Sequence, residues 1–148
     1  MNTATIKNLF TSQQNISTLP LRLIAGIIFA AHGAQKLFAW FGGYGLDGTG
    51  QWMESIGLAP GYLMALMAGS AEFFGGLLLI VGLLTRPAAL ALAFTMVVAI
   101  FSVHFQNGLF MSNNGYEFGL SLLAISVALV FQGGGRFALD NLVANRIK

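Results

Sequence analysis

Residues Tyr62 to Leu84 read YLMALMAGSAEFFGGLLLIVGLL, an apolar run that holds a single charged residue, Glu72. About 20 apolar residues suffice to cross the hydrocarbon core of a bilayer as a helix. The positions three, four and seven away from Glu72 are Ala65, Ala68, Gly69, Gly75, Gly76 and Leu79, a stripe of mostly small side chains. Small residues let helices approach closely in a membrane. An ionisable group in hydrocarbon costs about 3 kcal/mol or more, so it turns toward the bundle interior. The stretch therefore implies a span with a carboxyl on its packing face.

Working outward, the composition agrees with a membrane chain. Of 148 residues, 8% are charged and 56% hydrophobic, whereas a water-soluble domain carries roughly a quarter charged residues. Three more spans follow: about Pro20 to Phe41, Pro87 to Phe105, and Ser112 to Gln132 ahead of the breaker Gly133-Gly134-Gly135. A soluble helical bundle would show a polar face at helical spacing, and spans two to four show none. The expected fold is all-α, an integral membrane antiparallel four-helix bundle. Its parts are a polar cytoplasmic tail (1–19), a four-span domain (20–132) and a cytoplasmic C-terminal segment (133–148). The tail lacks the apolar core of a cleavable signal.

Lys and Arg set the orientation. Lys7, Arg22, Arg86, Arg136, Arg146 and Lys148 mark the two ends and the second connection as cytoplasmic. The first connection, with Asp47 and Glu54, and the third, around Gln106 to Gly115, are expected outside. In the first, the glycine-rich stretch Gly42 to Gly50 leads into Gln51 to Ile56, read as a short interfacial helix anchored by Trp40, Tyr44 and Trp52. The seven basic residues form no cluster, which speaks against nucleic acid.

Five ionisable groups are candidates for a ligand or proton site: His32, Lys36, Glu72, His104 and Glu117. Counting about 1.5 Å per residue from the cytoplasmic ends puts His32 and Glu72 at equal depth, each about 18 Å up, as natural partners. Lys36, His104 and Glu117, with Gln106, Asn107, Asn113 and Asn114, suggest an outward-opening polar vestibule. Arg22, Arg86, Arg136 and Asp140 are candidates for structural charge pairs at the cytoplasmic end. For Arg22 the expected partners are Asp140 and carbonyls at helix C-termini.

Histidine and a buried carboxyl are the proton-exchanging groups that quinone chemistry uses. An apolar slot beside His32 and Glu72 is expected to be lined by Phe29, Phe38, Phe73 and Phe74. A bis-histidine haem fits less well, because His104 would sit about 7 Å above His32 in straight helices. A metal centre lacks the Glu-x-x-His spacing of di-iron bundles. The absence of cysteine excludes disulfides, thiol redox chemistry and cysteine-ligated clusters, so electrons would have to come from a bound cofactor.

Several motifs together resemble the DoxX family of small bacterial membrane proteins. They are Arg22-Leu23 with Gly26, Phe29 and His32-Gly33-Ala34-Gln35-Lys36, then Gly69-Ser70-Ala71-Glu72 with Gly75-Gly76, and Gly82-Leu83-Leu84-Thr85-Arg86. His104, Glu117 and Gly135-Arg136-Phe137-Ala138-Leu139-Asp140 complete them. The resemblance runs from about Leu21 to Leu142. It implies a bacterial inner-membrane protein and a quinone-linked redox role with redox-enzyme partner subunits; a homo-oligomer is a further expectation, required by a transporter. Intramembrane charges alone also fit a small oligomeric transporter or proton channel, or a scaffold whose charges set helix register.

Overall fold

The computed structural model describes residues 10–12 and 15–146; the remaining residues, among them Lys7 and Lys148, lie outside the described residues. The chain is helical, with α1 (Thr18–Phe38), α2 (Gly45–Ser55), α3 (Gly61–Val81), α4 (Thr85–Ala99), α5 (Glu117–Gln132) and the short α6 (Asp140–Ala144). Beyond Ala99, α4 continues through a wide turn at Ile100–His104, where Phe105 N–H donates to the carbonyl of Ile100, and a tight turn at Phe105–Asn107. The widened turn spans five residues rather than four, a device that re-aims the residues beyond it.

Three helices are long and apolar enough to cross a membrane: Thr18–Phe38, Gly61–Val81 and Thr85–Asn107. The fourth, α5, is apolar but only 16 residues long. The expected span from Ser112 is thus shorter at its start. Asn114 adopts a left-handed conformation with φ 58°, and Glu117 Oε1 accepts from Met111 N–H at 2.6 Å, which ties those residues into a loop.

The helices run antiparallel, and glycine sets the register. A Cβ at Gly26 would lie 2.7 Å from the carbonyl of Gly76, and one at Gly69 would meet the Leu37 and Lys36 side chains. A Cβ at Gly33 would lie 2.7 Å from Cα of Phe73. Rising numbers on α1 thus face falling numbers on α3. Likewise Gly119 of α5 faces Ile100 of α4, while Thr85 at the other end of α4 meets Gly134. Helix α3 turns into α4 at Gly82, φ 69°, where Leu83 N–H bonds back to Leu78 and so caps the helix end.

The half of the bundle nearer the chain termini is filled by apolar side chains, with Phe29, Leu79, Leu92 and Leu129 fully buried. Its end is closed by two arginines. Arg22, 2% exposed, donates to the carbonyls of Leu79, Ile80 and Phe137. Arg86 donates to Val130, Phe131 and Thr11. Asp140 accepts from the N–H groups of Leu84 and Thr85, at 2.6 and 2.9 Å, and so caps the start of α4. Arg136 lies over the Phe137 ring.

These contacts correct the expected charge pairs. Among the described residues, none of Arg22, Arg86, Arg136 and Asp140 is in an ion pair. Helix ends leave backbone carbonyls and N–H groups without partners, and three of these charges are spent on them instead. For Arg22 the expectation of C-terminal carbonyls holds, and that of a direct Asp140 bridge does not.

The loop end also departs from expectation. Helix α2 begins at Gly45, six residues earlier than Gln51, and contains Gly48 and Gly50. Gly50 packs against the start of α3, where its Cβ would lie 2.9 Å from Cα of Tyr62. Glu54 Oε2 accepts from Gly61 N–H at 2.6 Å and fastens the two elements. Glycine serves here for close approach rather than for flexibility.

Candidate functional site

In the half of the bundle nearer the loops, α1, α3, α4 and α5 enclose a cleft of about 530 Å³, within the size range of small-molecule sites. Phe29, Met96, Phe118 and Leu122 supply its apolar walls, and Lys36, Glu72, His32, His104 and Asn114 its polar groups. Glu72 is 3% exposed.

The partner of Glu72 is Lys36: Nζ donates to Oε2 at 2.6 Å, and among the described residues this is the one ion pair. The pairing corrects the expected His32–Glu72 contact. Depth was not the error, since Gly33, beside His32, lies level with Phe73. On α1, however, it is Gly33 that faces α3. Helical side chains lean toward the N-terminus of their own helix. On antiparallel helices Lys36 and Glu72 therefore lean toward each other along the seam. The close approach of the Lys36 stem to Gly69, one turn from Glu72, fits this geometry.

His32 points elsewhere. It is exposed at the rim of the cleft, its ring 6.2 Å from that of Phe118 on α5. His32 thus marks the side of the cleft between α1 and α5.

His104 reaches the cleft through the widened turn of α4. Its Nδ1 lies 2.9 Å from the carbonyl oxygen of Asn114. A carbonyl can only accept, so Nδ1 carries the proton and Nε2 is the nitrogen left free. Asn107 Nδ2 donates to the same carbonyl. Of the residues expected in a vestibule, Lys36, His104 and Asn114 line the cleft, while Gln106, Asn107, Asn113 and Glu117 do not. Glu117 is occupied with the loop at Met111.

Of the four phenylalanines expected along the slot, only Phe29 lines it. Phe38, Phe73 and Phe74 stack edge to face on the other side of the α1–α3 seam, beside Trp40. Phe118 and Met96 take their place. Thirteen phenylalanines in an apolar chain give no sequence signal for which of them meet. Asn114 acts through its backbone, which no side-chain pattern could reveal. Among the described residues, no three His, Asp or Glu side chains are grouped to hold a metal ion.

The arrangement can donate from an ammonium and accept at an imidazole nitrogen across one apolar-walled space.

The DoxX family model matches residues 17–105, the segment that carries Lys36, Glu72 and His104. The protein named "Putative oxidoreductase CatD" of Bacillus subtilis is 40% identical, over 86% of this chain and 87% of its own. An uncharacterized protein of Haemophilus influenzae is 37% identical, over 82% of this chain and 86% of its own. "Inner membrane protein YqjF" of Escherichia coli is 34% identical, over 88% and 94%. These alignments cover most of both chains, so the likeness extends past the segment that the family model matches. No solved structure matches the chain.

Proposed function

The chain belongs to the DoxX family, and from that premise we propose that it is a multi-pass bacterial inner-membrane subunit of a quinone-linked redox system, with the quinone ring held in the cleft beside Lys36 and Glu72. The observation that carries this reading is the ion pair between half-buried Lys36 and buried Glu72 on the wall of an apolar cleft that also holds the two imidazoles. Reduction of a quinone to a quinol takes up two electrons and two protons at the two ring oxygens. Lys36 is placed to give a proton to one ring oxygen, and His104, protonated at Nε2 as the imidazolium, to the other, with both protons replaced from water. The Glu72 carboxylate accepts from Lys36 and holds its ammonium at the cleft wall.

The electrons have another source. Without cysteine the chain offers no thiol chemistry, so a partner subunit or a bound redox group supplies them. The oxidoreductase name of CatD and the inner-membrane name of YqjF are in keeping with this role.

A through-going proton or ion pathway is less well supported, because the half nearer the termini is filled by Phe29, Leu79, Leu92 and Leu129 and closed by Arg22 and Arg86. The test is equilibrium titration of the purified protein with a short-chain benzoquinone. Saturable binding that weakens about tenfold in Glu72→Gln is expected, since hydrogen bonds to charged groups are worth about 1.5–3 kcal/mol. Binding that does not saturate, or that Glu72→Gln leaves unchanged, removes the proposal's basis.

A further inference from the structure

A second cavity, of about 280 Å³, adjoins the cleft and shares Glu72, Ala99, His104 and Asn114 with it. Away from those shared residues its character changes. Ala68 of α3 and Thr95, Val98 and Val103 of α4 form its sides, and Trp52 and Leu58 close it toward the loops. The one hydroxyl there, that of Thr95, is already spent on the carbonyl of Ala91 at 3.0 Å. Thr95 and Val103 are eight residues apart, so the groove runs about 12 Å along α4.

The two cavities adjoin across Glu72, Ala99, His104 and Asn114, a polar middle between unlike ends. One end is the side between α1 and α5, where His32 is exposed. The other is an apolar groove between α3 and α4, whose sides Ala68, Thr95 and Val98 are each half-buried. Both α3 and α4 are spans, so this groove lies at the depth of lipid chains. A ligand that fits both parts carries a polar ring and a flexible apolar chain.

We propose that the groove between α3 and α4 is a tail channel, and that the ligand is a chain-bearing quinone whose ring lies in the cleft and whose alkyl or isoprenoid chain leaves through this groove. The assignment rests on the ring-binding reading above. The widened turn at Ile100–His104 serves both parts: it brings His104 to the ring, and Val103 of the same turn walls the groove. A ring entering from the groove meets Glu72 and His104 first and leaves its chain in hydrocarbon throughout.

The test uses quenching of Trp52 fluorescence in a Trp40→Phe background, with a decyl-substituted benzoquinone and its methyl-substituted counterpart. A chain also concentrates a ligand in detergent, so the quantity read is the change between proteins for each ligand. Val98→Phe and, on the facing helix, Ala68→Leu add bulk to the groove without touching the cleft. The decyl compound is expected to bind each variant at least fivefold more weakly, while the methyl compound stays within twofold of its wild-type affinity. If both ligands bind both variants as they bind the wild type, the tail channel is wrong and the ring site stands. Equal weakening of both ligands in both variants also overturns the channel. If neither ligand binds the wild type, the ring reading itself fails.

Discussion

Gly33→Ala is the sharpest mechanical test of the bundle. A Cβ at this position would lie 2.7 Å from both Cα and Cβ of Phe73, where carbon atoms prefer about 3.5–4.0 Å. The obstacle includes backbone, so no rotamer change relieves it, and α1 and α3 must part by roughly 1 Å. Overpacking of this kind costs about 1–3 kcal/mol, and a backbone neighbour places Gly33→Ala in the upper half of that range. At about 2 kcal/mol the folded-to-unfolded ratio falls roughly 30-fold. The same parting acts on the Lys36–Glu72 bond, which crosses this seam one turn away. The assay is reversible unfolding in mixed micelles on titration with a denaturing detergent. Gly119→Ala is the control: there the nearest neighbour is Cγ1 of Ile100 at 3.1 Å, a side chain that can yield, and the expected cost is below about 1 kcal/mol. A Gly33→Ala protein as stable as wild type, or a Gly119→Ala protein equally damaged, would refute the register.

Arg22→Lys is expected to destabilise the protein by about 2 kcal/mol, because one ammonium cannot reach the three carbonyls that the planar guanidinium serves; the same micelle titration reads it, and a neutral Lys substitution would contradict the clamp. Asp140→Ala removes the acceptor of two N–H groups at the start of α4 and should cost about 1–2 kcal/mol, with Asp140→Asn intermediate, as read from shifts in the unfolding midpoint. Lys36→Met strands the buried Glu72 and should cost about 3 kcal/mol, whereas the double variant Lys36→Met/Glu72→Met recovers at least half of that; a double-mutant cycle with equal single and double losses would argue against the pair.

Much of this fold is written in the chain at the level of periodicity. Apolar runs gave the four helices, and the small-residue stripe around Glu72 marked the face that packs against α1 and α4. The depth of His32 relative to Glu72 also followed from counting residues. What counting could not supply was direction: one residue of rotation turns Gly33 toward α3 and His32 toward α5, and the lean of helical side chains brings Lys36 to Glu72. The loop end was least legible. Gly48 and Gly50 belonged to the glycine-rich stretch ahead of the expected helix, yet they sit inside α2, and at Gly50 the backbone of α3 comes too close for a Cβ. Glu54, Glu117 and Asp140 likewise spend their charge on backbone N–H groups at helix ends and loops, partners that leave no mark in the pattern of side chains.

Photolabelling asks directly whether a quinone ring occupies the cleft beside Lys36 and Glu72. A short-chain azidoquinone would be irradiated with the protein in native-lipid particles and the labelled peptides mapped by mass spectrometry. Label is expected on the segments around Met96 and Phe118, abolished by excess unlabelled quinone and diminished in Glu72→Gln. Label spread over outward-facing residues such as Phe94 and Phe131, and insensitive to competitor, would contradict it.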